Sequence, residues 1–221
     1  MKFYIDSAII EEVSDIASWG ILSGVTTNPS LIAKSGQDFR ETIIKICDIV
    51  KGPVSAEVTA EDAPTMIKQG KEFANWHECV IVKLPITTEG LKACKALSHQ
   101  GIPTNLTLCF SVNQALLCAR AGAKYVSPFI GRLEDINEDG LRLIENIKEV
   151  FDKHNLKTEI IAASIRTPQH ITASAKAGAH IATIPYKIFA PLVKHPLTDT
   201  GLEKFLQDWK SVCIEKTDNK C

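Results

Sequence analysis

VIVKLPITTEGLKACKALSHQGIPTNLTL, residues 80–108, holds two β-rich runs, VIVKLP (80–85) and PTNLTL (103–108), with room between them for one helix. Two neighbouring strands joined through a crossover helix run parallel, because the helix carries the chain back to the end from which the next strand starts. The same unit recurs on both sides. FYID (3–6), GVTTN (24–28) and VSAEV (54–58) come before it, and YVSPF (125–129), EIIAAS (159–164) and HIATIP (180–185) come after. Between the strands lie amphipathic stretches. Ile9, Ile10, Val13, Ile16 and Ala17 after Ser7, and Leu141, Ile144, Ile147, Val150 and Phe151, place apolar residues every three or four positions. Eight such units with no Pro-, Gly- or Ser-rich linker predict an α/β fold, a single (β/α)8 TIM barrel domain over residues 1–221. TDTGLEKFLQDWKSVC then reads as an extra C-terminal helix over about 199–213, and 214–221 as a polar, frayed tail.

Composition narrows the function classes. The 221 residues are 45% hydrophobic and 23% charged, enough to bury a sizeable core. The 25 basic and 26 acidic side chains are spread without long like-charge runs, so nothing marks a nucleic-acid or anionic-membrane surface. The start, MKFYIDSAIIEEVSD, reaches Asp6 after three apolar residues, unlike the apolar core of a secretory signal, and no run is long enough to span a bilayer. A cytoplasmic protein is expected. Seven cysteines without a CxxC pair read as reduced thiols, most simply small core residues, with Cys221 in the tail the exception.

In a parallel barrel, alternate strand residues face the lumen and the carboxyl ends of the strands carry the chemistry. Strand parity brings Asp6, Thr26, Asn28, Glu57, Lys83, Asn105, Thr107 and Ser164 to that end. An isolated Asn or Thr there is most simply a satisfied polar group closing a strand. Lys83 is different, because Ile81, Val82, Leu84 and Pro85 around it are apolar and a buried ammonium is costly. It is either half of a buried ion pair with Asp6 or Glu57, or an amine nucleophile that burial keeps partly neutral and able to attack a carbonyl. Nucleophile is the stronger reading, since Asp6 and Glu57 would supply the separate acid and base duties that Schiff-base chemistry needs.

AASIRTP (162–168) places Ser164 and Arg166 after the seventh strand, where barrel enzymes often hold phosphate. Arg132 in SPFIGRLEDI would supply a second guanidinium, unless it pairs with Glu134 or Asp135. The six histidines show no paired ligand spacing, and no dinucleotide or phosphate-loop glycine pattern is present, so neither a metal nor an organic cofactor is expected. Gly24, Gly122 and Gly178 read as turns before strands.

FYIDSA, GVTTNPSLI, VSAEV, VKLPIT, GIPTNLTLCFS, AGAKYVSPFIGR, IIAASIRTP and GLEKFLQDW together resemble the small transaldolase and fructose-6-phosphate aldolase family over almost the whole chain. The resemblance implies that Lys83 is the Schiff-base lysine and Asp6 the acid/base at the substrate C4 hydroxyl. It further implies that Glu57 and Thr107 hold a catalytic water, and that Asn28 and Asn105, with Thr26 beside them, bind the three-carbon unit. Arg132, Ser164 and Arg166 would bind phosphate. The reaction implied is transfer of a dihydroxyacetone unit from sedoheptulose 7-phosphate or fructose 6-phosphate to glyceraldehyde 3-phosphate or erythrose 4-phosphate, in the pentose phosphate pathway. The aldolase branch carries Gln and Tyr where this chain has Glu57 and Phe129, so both positions are similar to transaldolase. The alternatives are an aldolase that releases free dihydroxyacetone, and a non-catalytic sugar-phosphate-binding barrel. Relatives of this size also imply a homo-oligomer, a pentamer or decamer.

Overall fold

Local capping chemistry punctuates the chain. At most helix starts a short polar side chain accepts the N–H three residues on: Asn28 from Leu31, Asp38 from Glu41, Asp62 from Thr65, Thr87 from Gly90, Ser111 from Gln114, Asp139 from Arg142 and Thr167 from His170. Each satisfies a donor that the first helical turn leaves unpaired, and so fixes where a loop becomes a helix.

The computed structural model describes residues 1–217. Its elements run β1 (Lys2–Asp6), α1 (Ile10–Ser18), β2 (Leu22–Thr26), α2 (Pro29–Ser35), α3 (Phe39–Val50), β3 (Val54–Glu57), α4 (Ala63–Ala74), β4 (Val80–Pro85) and α5 (Thr88–Ser98). They continue through β5 (Thr104–Cys109), α6 (Val112–Ala121), β6 (Tyr125–Pro128), α7 (Ile130–Glu134), α8 (Gly140–Lys153), β7 (Glu159–Ala162), α9 (Pro168–Lys176), β8 (Ile181–Ile184) and α10 (Tyr186–Phe189). The strands close in sequence order, β1 to β8, and every pairing is parallel, β8 meeting β1. This is the expected (β/α)8 barrel. No helix among the described residues is long and apolar enough to cross a membrane.

Met1–Phe189 forms one compact unit and the chain from Ala190 another. The second holds a 3-10 turn (Ala190–Val193) and α11 (Pro196–Thr217), which outruns the expected 199–213 at both ends. Pro196 suits a first helical position, where its missing N–H would have no partner anyway. Of the expected tail, 214–217 is helical and 218–221, with Cys221, lies outside the described residues. Cys47, Cys79, Cys94, Cys109 and Cys118 are free thiols, all but Cys79 buried.

The lumen is layered. Tyr4, Ile81, Tyr125, Ile161 and Ile181 make a buried apolar cluster from five strands, and each such side chain contributes about 1.5–3 kcal/mol by leaving water. Gly24 lies inside β2, not in a turn before it. A Cβ there would come within 2.5 Å of the Tyr4 ring and 2.7 Å of the Pro53 carbonyl, so the glycine is set by its neighbours across the sheet. This layer fills the lumen below the polar carboxyl ends of the strands.

Candidate active site

Register places the polar groups. Glu57 is paired with Lys83 and Lys83 with Asn105, so β3, β4 and β5 present one row, while Asp6 pairs with Thr26 on β1 and β2. Asp6, Thr26 and Lys83 meet around a cavity of about 150 Å³. Asp6, Thr26, Asn28, Lys83, Thr107, Phe129, Arg132 and Ser164 all line it. A second, adjoining cavity of about 460 Å³ shares Asn28, Lys83, Thr107, Phe129 and Arg132 and adds Glu57 and Lys34.

Lys83 is buried, with 5% of its surface exposed, in a strand whose neighbours are apolar. Its Nζ lies 3.0 Å from Glu57 Oε2 and donates to the Thr27 carbonyl at 2.9 Å. Both readings of this residue thus meet in one geometry: the amine has a carboxylate partner and faces a cavity. An ion pair this enclosed is a poor source of stability, because desolvation offsets most of the attraction.

Asp6 keeps part of its surface open to the cavity while protein surrounds it on nearly every other side. Burial pushes its carboxyl above the ordinary value; Lys83 and the Thr26 hydrogen bond pull the other way, and Glu57 adds a smaller upward push. Thr26 Oγ1 donates to Asp6 Oδ1 at 2.7 Å and lies 2.6 Å from Thr183 Oγ1, so Thr183 donates in turn to Thr26. A carboxyl raised above its ordinary value and oriented by such a chain can both take and return a proton.

Asn105 is buried between two serines: its Nδ2 donates to Ser55 Oγ at 3.3 Å and Ser127 Oγ donates to its Oδ1 at 2.8 Å. It lines neither cavity. Thr107 Oγ1 is buried without a hydrogen-bond partner among the described residues, a hydroxyl left to serve whatever enters the cavity. Asn28 is engaged as the cap of α2, its Oδ1 accepting from Leu31 N–H, which leaves its amide group for the cavity.

The phosphate candidates are placed unequally. Arg132 stacks over the Phe129 ring, 5.1 Å from its centroid, and lines the cavity without an ion-pair partner among the described residues. Ser164 also lines it, though not by strand parity: Ile161 in β7 and Ala163 just past its end hold the lumen positions, and Ser164 turns inward through a left-handed backbone, φ 59°. Arg166 is outside both cavities, forked onto Asp135.

Thr27, Ser55, Ser127 and Thr183 were not singled out from sequence. Thr183 and Ser127 line the cavity themselves, and the alternation within HIATIP and YVSPF carried the signal for both.

The family described as Transaldolase/Fructose-6-phosphate aldolase matches residues 3–218. A probable transaldolase of Symbiobacterium thermophilum is 56% identical over 211 residues, 96% of this chain and 98% of that protein. One from Bacillus cereus is 59% identical over 220 residues, 100% of both chains. Among solved structures, the N-acetylmannosamine-6-phosphate 2-epimerase from Clostridium perfringens superposes with a TM-score of 0.60 at 13% identity, covering 93% of each chain, a likeness of fold alone.

Proposed function

Since the chain belongs to the transaldolase/fructose-6-phosphate aldolase family, we propose that it transfers a dihydroxyacetone unit from a ketose phosphate to an aldose phosphate through a Schiff base on Lys83. The observation that carries this is the buried Lys83 amine, 3.0 Å from Glu57 and facing a cavity that Asp6 also lines. Glu57 takes a proton from the amine, and the neutral nitrogen attacks the C2 carbonyl of the donor. The carbinolamine loses water, for which Glu57 returns the proton, directly or through a water held with Thr107. Asp6 then removes the C4 hydroxyl proton as the C3–C4 bond breaks and the first aldose phosphate leaves. The enamine on Lys83 attacks the aldehyde of the second aldose, Asp6 returns its proton to the new hydroxyl, and water releases the product ketose.

Transfer is favoured over release of free dihydroxyacetone by Phe129. Its ring lies at the cavity between Phe110, 5.7 Å away centroid to centroid, and the Arg132 guanidinium. Such a ring has no hydroxyl with which to aim a water at the enamine carbon. Arg132 and Ser164 at the cavity, with Arg166 two residues beyond Ser164 and outside the cavity, are the proposed phosphate site.

Borohydride reduction in the presence of fructose 6-phosphate tests the reading. Intact mass should show one adduct on the wild type and none on Lys83→Ala, and Glu57→Gln should slow adduct formation by about 10²–10⁴-fold. An adduct that persists in Lys83→Ala would overturn the assignment.

A further inference from the structure

Arg166 follows Ser164 by two residues, yet its guanidinium is turned away from the cavity. Its side chain lies over the first turn of α7, where a Cβ on Gly131 would come within 2.8 Å of its Nε. From there it grips Asp135 with both terminal nitrogens, Nη2 donating to Oδ2 at 2.6 Å and Nη1 to Oδ1. The backbone beneath it is anchored separately. Arg166 N–H donates to His170 Nδ1 at 3.3 Å, and His170 Nε2 is 2.9 Å from Glu134 Oε2. Any rearrangement is therefore one of the side chain alone.

A carboxylate gripped by two parallel hydrogen bonds occupies the fork with which a guanidinium would otherwise hold a phosphate. Arg132, one helical turn away on α7, has no such partner among the described residues and stays at the cavity. We infer that Asp135 is a positioning residue that latches Arg166 outside the cavity, and that a phosphomonoester dianion seated at Arg132 and Ser164 exchanges with Asp135 for the Arg166 fork. A sugar without a phosphate leaves the latch closed. The inference rests on the phosphate site proposed above, and it gives Asp135 a role in discrimination: the doubly charged ligand outcompetes a singly charged carboxylate, and a neutral one does not.

Because binding competes with the latch, apparent phosphate affinity is reduced by the fraction of molecules in which the fork is free. Opening the latch should raise it. Calorimetry with inorganic phosphate on the full chain should show Asp135→Asn and Asp135→Ala binding about two- to fivefold tighter than wild type, a modest factor because the ion pair is half exposed and screened. In an Arg166→Ala background the gain should vanish. KM for fructose 6-phosphate should fall with kcat little changed, while borohydride trapping of unphosphorylated dihydroxyacetone on Lys83 stays at the wild-type rate. Unchanged or weaker phosphate binding in both Asp135 variants overturns the latch, as does a gain that survives Arg166→Ala. If no variant traps dihydroxyacetone but the Asp135 variants still bind phosphate more tightly, the Schiff-base reading fails and the latch stands.

Discussion

Asp6 shows how one side chain sets chemistry against stability. Its carboxyl has an ordinary value of 3.8 and is pushed above it, first by burial. An acid raised in the folded state holds its proton more tightly there than in the unfolded chain. Protonated Asp6 therefore favours the fold fully below the ordinary carboxylate value, and that contribution is lost as pH rises through the raised one. Asn mimics the protonated form. Asp6→Asn should match wild-type stability in acid and exceed it at neutral pH, while activity falls by about 10²–10⁴-fold. Urea unfolding of both proteins across the acid-to-neutral range checks the sign. A wild type that gains on the Asn variant as pH rises would mean that Lys83 and Thr26 outweigh burial.

At the scale of elements, what could be read from sequence depended on whether the determinant was local. Strand alternation set Asp6, Thr26, Glu57, Lys83 and Thr107 on the correct face, because the two-residue period of a strand is a property of the strand itself. It did not explain Ser164, which reaches the cavity only because the backbone leaves the strand in a left-handed turn. Nor could it show that Arg166 would turn to Asp135, a partner thirty-one residues away. Gly24 is the converse case: read locally as a turn, it stands within β2 because the Tyr4 ring needs its space. Gly24→Ala should therefore destabilise by about 1–3 kcal/mol, the usual cost of overpacking. In a Tyr4→Leu background the added cost of Gly24→Ala should be smaller but not zero, since the Pro53 carbonyl still crowds the new methyl. Additive losses in denaturant melts of the four proteins would show that Tyr4 is not what keeps the position empty.

For the whole molecule, the closure of the barrel was legible because eight parallel strands with helices between them leave no edge to cover, whereas α11 has apolar surface that nothing in the helix itself can bury. Leu202, Phe205, Leu206 and Trp209 are 58%, 71%, 53% and 66% exposed, and their spacing of three, one and three residues puts them along one stripe of the helix. Large apolar side chains gathered on one stripe mark a contact surface in a way that scattered ones do not, and closed symmetric assemblies of identical chains are the usual way to cover one. We therefore expect the protein to be a homo-oligomer that buries this stripe between copies, and Phe205→Glu with Trp209→Glu to shift it toward smaller species. Light scattering behind size exclusion reads the mass directly, and circular dichroism checks that the variant keeps its helices. A charge on each of the two largest side chains should be decisive, because an unpaired carboxylate inside an apolar contact must be desolvated with nothing to compensate it. If the wild type runs as a monomer, or the double variant keeps the wild-type mass, the stripe is not the assembly surface.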